Sequence, residues 1–239
     1  MDSPGNTGFT GIKAEGLAFL KDILILQEKG DFEAARNYFI QNKTVHELEL
    51  KGPLGDLVEE LGGRFRLEGT PLRGDRKNSL FRINRDVRFS PDKSPYKTHS
   101  GAVLSRGGTR KEQGVLYVHI DPAGCLMAAG FYRPDPGQLA KLRDHMRGNP
   151  KKLKKMIEKL AASGLELDAD ESLKRLPRGF EDVADPEVAW AVKLKGLTVM
   201  APLKTEEVMD SGLVDKLVRF AHQVMPLLEF GWEALDRAD

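Results

Sequence analysis

At 239 residues, with 40% hydrophobic and 31% charged side chains, the chain can bury a full core as one large domain or two small ones. Its single cysteine, Cys125, excludes an internal disulfide framework and a multi-cysteine zinc site. A net charge of +1 conceals two basic blocks: residues 64–111 hold 13 Lys/Arg against four Asp/Glu, and residues 141–159 hold eight against two. Such blocks make an anion-attracting face if folding brings them to one side.

Residues 1–8 are polar and Gly/Pro-rich, which predicts a disordered tail and shows no secretory signal pattern. The apolar run over 17–26 is broken by Lys21 and Asp22 and is too short to span a bilayer, so no membrane partner is expected and a cytoplasmic location is the default. Helical spacing over 12–27 nominates Ile12, Leu17, Leu20 and Leu24 as one inward face. A second helix is predicted over 31–42, N-capped by Asp31 with Phe32, Ala35 and Phe39 inward. A third is predicted over 54–61, after Pro53 and ended by Gly62-Gly63.

Periodicity then changes. Over 80–89, Phe81, Ile83, Val87 and Phe89 alternate with Arg82, Asn84, Asp86 and Arg88, as a half-buried strand requires. Further strands are expected at 96–105, 115–121, 125–132 and 197–203, the first four joined by connections short enough for an antiparallel meander. Asp135-Pro136, Asn149-Pro150 and Asp185-Pro186 each place a capping residue before an N1 proline. They predict helices over 136–147, 150–162 and 186–195. A final helix over 212–237 should kink near Pro226. The late strand must rejoin the earlier sheet, so the expected fold is α+β: a mainly antiparallel sheet of about five strands flanked by helices, one domain over 9–239. Cys125 lies in an apolar run and reads as a buried structural thiol.

The stretch from Phe81 to His99 packs three arginines, two lysines and two aspartates beside a tyrosine and a histidine. Arg82, Asp86 and Arg88 should share one strand face by period two. Arg85 should point the other way, as a buried arginine needing a carboxylate or carbonyl partner. Guanidinium forks suit phosphate or carboxylate, and Lys93 and Lys97 add point charges. In the next strands Lys97, His99 and Gly101 share a face, as do Tyr117, His119 and Asp121. The right register would therefore bring His119 to His99 beside the cations, a proton-transfer group near anion binders.

The run Arg82-Ile83-Asn84-Arg85-Asp86-Val87-Arg88-Phe89, with Asp92-Lys93-Ser94-Pro95-Tyr96, resembles the signature of a bacterial family called domain of unknown function 2461: Arg-x-x-Arg-Asp-x-Arg-Phe, a spacer, then Asp/Asn-Lys-x-x-Tyr. Weaker similarity covers Arg36 to Lys43, where Tyr38 stands in place of the family's usual Trp, and Pro177 to Phe180. The resemblance implies a single-domain α/β protein and transfers no catalytic role.

The candidate ligand-binding set is therefore Arg82, Asp86, Arg88, Lys93, Tyr96, Lys97, His99 and His119, with Arg85 and Asp92 as structural members of the motif. No catalytic residue or cofactor is assigned. His99, His119, Asp86 and Asp121 lack tight metal-ligand spacing, so no metal is expected. The leading reading is a small anionic ligand, phosphorylated ones included, bound at a basic hairpin. Two alternatives stay open: a nucleic-acid-associated protein using a basic face, and a structural or interaction module whose motif, through pairs such as Arg82 or Arg88 with Asp92, only stabilises the hairpin. Whether the protein is an enzyme, and its oligomeric state, stay open too.

Overall fold

The computed structural model of the chain describes residues 8–237; apart from Gly8, the tail expected over 1–8 lies outside them. The described residues gather into two compact units. One takes the chain up to Arg110 with Tyr117–Met127 and Pro202–Val218. The other takes Lys111–Leu116, Ala128–Ala201 and the chain from Arg219 onward.

In the first unit, α1 (Ala14–Glu28) buries Phe19, Leu20, Ile23 and Gln27. The inward stripe is thus rotated from the expected one: Ile12 and Leu20 are buried, while Leu17 and Leu24 are only half-buried. Asp31 caps α2 (Phe32–Gln41), its carboxylate accepting from the Ala34 N–H at 2.9 Å. Helix then continues almost unbroken through α3 (Lys43–Val45), a π-helical turn at His46–Lys51 and α4 (Gly52–Glu68). The helix predicted over 54–61 is therefore too short, because α4 runs through Gly62-Gly63. Burial of Leu57, Val58, Leu61 and Phe65 along one face outweighs a propensity cost of about 1 kcal/mol per glycine. Gly69, at φ 71°, supplies the left-handed residue that stops the helix.

One antiparallel sheet is present among the described residues, ordered β1 (Ser100–Leu104), β2 (Val115–Ile120), β3 (Cys125–Phe131), β4 (Leu197–Leu203). It has four strands where about five were expected, since residues 80–89 make isolated bridges and no strand. Leu80 bridges Ala102 and Asn84 bridges Tyr96. Between these bridges the two segments slip. The Phe81 N–H donates to the Gly101 carbonyl, but the Lys97 N–H donates to the Ile83 carbonyl. Two residue steps on one side thus face four on the other, and Thr98-His99-Ser100 bulge opposite Arg82. A bulge of this kind interrupts the ladder and re-aims side chains. The offset is even, so the alternation of faces survives it.

In the second unit, α5 (Pro136–Gly148), α6 (Pro150–Ala162) and α7 (Pro186–Ala191) pack together, burying Leu142, Met146, Leu153, Met156 and Val188. Asp135 and Asp185 cap α5 and α7 as expected. Asn149 does not cap α6; its side-chain amide turns back to the His145 carbonyl at 3.0 Å. Helix α7 ends at Ala191, short of the expected 195. After α8 (Thr205–Val208), α9 (Leu213–Leu235) carries Pro226 within it. No described helix is long and apolar enough to cross a membrane.

Candidate functional site

The charged motif divides into a turn, an anchor and a floor. In the turn, Asp92 accepts from the Ser94 N–H at 2.9 Å and pairs with Arg85. Hydrogen bonds from Ser94, and then Arg85, hold the Asp92 carboxyl down at about 2. Arg85 is thus the arginine that takes Asp92, in place of the Arg82 or Arg88 pairing considered from sequence, and its side chain is 30% exposed instead of buried. Arg88 forks onto Asp86 at 3.0 and 2.7 Å and lies over the Phe89 ring. Lys93 donates to the Val87 carbonyl at 3.0 Å. These charges answer one another in solvent.

Tyr96 is the anchor. It is buried and stacks on Phe39 with ring centroids 4.6 Å apart. Its backbone is clamped by one side chain: the Tyr96 N–H donates to Gln27 Oε1 at 2.9 Å, and Gln27 Nε2 donates to the Tyr96 carbonyl at 3.1 Å. Gln27 was not predicted from sequence, although a glutamine on the apolar side of an amphipathic helix is the signal that would have found it. The structure places Tyr96 in the core, packed on Phe39.

The floor gathers Lys97, His99, Tyr117, His119 and Asp121, all half-buried. On β2, Leu116, Val118 and Ile120 face inward, which turns Tyr117 and His119 to the other side with Asp121 just beyond. Gly101 of β1 leaves room for the Tyr117 ring; a Cβ there would lie 2.6 Å from the hydroxyl. That approach puts Tyr117 Oη 2.9 Å from His119 Nδ1. His99, two residues before Gly101 on the same side, reaches the same place, its ring 4.5 Å from that of His119. His119 Nε2 lies 3.5 Å from Asp121 Oδ2. One ligand atom from each of His99, His119 and Asp121 falls within 4.8 Å of the others, so this trio could hold a metal ion.

Electrostatics set the floor apart. Lys97 lies over the Phe81 ring at 5.1 Å, and its ammonium pKa is lowered first by burial, then by Arg82, Arg110 and Arg85. No carboxylate pairs with it among the described residues. Burial, His119 and Lys97 push His99 down to about 4, against a smaller opposite pull from Asp121. Burial also lowers His119, again opposed by Asp121. Both imidazoles are therefore neutral at pH 7. Arg110 donates to the carbonyls of Lys77, Asn78 and Leu80 at 3.2–3.3 Å and holds its charge near Lys97. Arg82 acts on both Asp86 and Lys97, between turn and floor.

Cys125 is buried, its thiol directed to the Asp121 carbonyl at 3.4 Å and pushed up by burial. In a surface cavity on α4, lined by Asp56, Glu59, Glu60 and Arg64, Arg76 pairs with Asp56 and Glu59, Arg64 pairs with Asp215, and Glu60 accepts from the Phe9 N–H at 2.7 Å.

A family model described as "Conserved hypothetical protein (DUF2461)" matches residues 18–230 of the chain. No curated protein and no solved structure matches it.

Proposed function

The chain belongs to the DUF2461 family, whose description states no activity, and from that premise we propose that it binds a small phosphate- or carboxylate-bearing anion at the floor through Lys97, with Arg82 and His99 as further donors. One observation carries this reading: Lys97 is half-buried, and every charged group acting on it is a cation. Desolvating an ammonium among guanidinium groups costs free energy, and an anion bound there would offset it. Strain of this kind, left uncompensated in the empty protein, is characteristic of binding sites. In this reading Asp86, Arg88, Lys93 and the Arg85–Asp92 pair shape the turn, and Tyr96 holds it to the helices.

The nucleic-acid reading loses support at α6, where Lys152 pairs with Glu233 at 2.8 Å and Lys154 with Asp185 at 2.7 Å, neutralising part of the basic face.

Thermal melting of the metal-free chain in rising inorganic phosphate tests the proposal. Saturating phosphate should stabilise wild type by roughly 2–3 kcal/mol at a hundredfold excess over Kd. Lys97→Met, which keeps the packing over Phe81, should lose that response while melting at the same or a higher temperature without phosphate. A variant that melts lower than wild type, or a wild type indifferent to phosphate, sulfate and dicarboxylates alike, overturns the reading in favour of a structural motif.

A further inference from the structure

We infer that His99, His119 and Asp121 form a binding site for a divalent transition-metal ion of the zinc class, with one coordination position open toward Lys97. Two imidazoles and one carboxylate suit such an ion, and three protein ligands are what an open, reactive site retains. The observed spacing fits. Ligands about 2.1 Å from a tetrahedral metal lie about 3.4 Å from one another, and His119 Nε2 stands 3.5 Å from Asp121 Oδ2. That separation is long for a hydrogen bond and right for two ligands of one ion. The third ligand atom lies within 4.8 Å of both. Its residue, His99, lies two residues before Gly101, with its ring 4.5 Å from that of His119.

The groups behind the ligands are arranged as a metal site needs. Ligating histidines have the second ring nitrogen held by a hydrogen-bond partner, and Tyr117 Oη meets His119 Nδ1 at 2.9 Å, leaving Nε2 for the ion. Asp121 Oδ1 accepts from the Ala123 N–H at 2.8 Å, which fixes the carboxylate and presents Oδ2 to the trio. Gly101 keeps the space that Tyr117 requires. These contacts lie on β1, β2 and the turn after β2, on the side opposite Leu116, Val118 and Ile120.

A dication carrying only one carboxylate, beside Lys97 and Arg82, leaves excess positive charge. An anion at the open position would complete the coordination and neutralise it. The inference rests on the anion-binding reading only for what fills that position. Metal and phosphate should then bind with positive coupling, each tightening the other by the same factor.

Cobalt(II) titration of the untagged full chain, first without phosphate, tests the metal site. One equivalent should bind with the visible absorption of a four-coordinate cobalt ion, and zinc should displace it. Asp121→Asn, which retains an Oδ1 acceptor for Ala123, and His99→Ala should each weaken binding at least tenfold while keeping the wild-type far-UV circular dichroism and a cooperative melt. Lys97→Met should bind one cobalt ion and lose only the tightening by phosphate. No saturable uptake by wild type, or equal uptake by wild type, Asp121→Asn and His99→Ala, overturns the site. Cobalt uptake without a phosphate effect would uphold the metal site and reject the anion, whereas phosphate stabilisation of metal-free protein without cobalt uptake would do the reverse.

Discussion

The turn around Asp86 to Ser94 and the floor around Lys97 to Asp121 are both rich in charged side chains but hold opposite electrostatic states. In the turn, Arg85 has Asp92, Arg88 has Asp86 and Lys93 has the Val87 carbonyl. In the floor, Lys97 lies over the Phe81 ring and the charged groups acting on it are cations, while the one carboxylate stands beside two neutral imidazoles. Charge density therefore does not distinguish a site from a brace; compensation does. Exposed pairs like those of the turn contribute little to stability and nothing that needs a ligand. A half-buried, unanswered ammonium is unfavourable in the empty protein, and binding relieves it.

The largest effect is expected where turn and floor are fastened. Gln27→Ala leaves the buried N–H and carbonyl of Tyr96 without partners, which should cost about 3 kcal/mol in urea unfolding. A loss below about 0.5 kcal/mol would show that the stacking on Phe39 suffices and that Gln27 does not separate the two regions. Next comes ligand affinity. Lys97→Met should weaken phosphate binding at least tenfold, about 1.4 kcal/mol, while Arg88→Ala stays within twofold of wild type. Equal losses in the two variants would erase the distinction between turn and floor.

Acid should act more gently, through the rings that carry the anchor. His46 is buried against Phe19 and Phe39. Burial lowers its pKa below the ordinary 6.5, with Glu47 opposing and Lys51 assisting. Unfolded His46 therefore takes up a proton that folded His46 refuses. Its contribution is complete above about pH 6.5 and is lost as pH falls below that value. Unfolding free energy measured at pH 7.5 and pH 5 should show the drop, and His46→Phe should reduce it; an unchanged slope would remove His46 as its source. The smallest effect belongs to the turn itself, where Arg88→Ala should leave the denaturation midpoint within error, since that arginine lies 77% exposed. A clear fall would mean that the turn braces more than itself.

Much of this was legible beforehand. Alternation over 80–89 faced Arg82, Asp86 and Arg88 to solvent as found but set Phe89 inward, whereas that residue is 94% exposed; alternation over β2 set Tyr117 and His119 on one side. Proline and aspartate signals located α5 and α7. What failed did so for identifiable reasons. Gly62-Gly63 looked like a stop, but Phe65 and its neighbours found enough apolar contact to carry the helix on. Residues 80–89 looked like a fifth strand, but the slip opposite Arg82 broke the ladder. Arg110 and Gln27 were passed over because each acts on residues far away in the chain, Arg110 on Lys97 by charge and Gln27 on Tyr96 by hydrogen bonds.

Spacing alone established the α+β class, the faces of individual strands and the segment in which the charges concentrate, because these follow from the local periods of helix and strand. It could not decide which charge meets which. That depends on register: the pairing of β1 with β2 that sets Gly101 against Tyr117 also brings His99 to His119 and, with Asp121, completes the trio. The fold also gave Arg85 its carboxylate and left Lys97 without one among the described residues. Pairing is a property of three-dimensional neighbours, and only the tertiary structure assigns them.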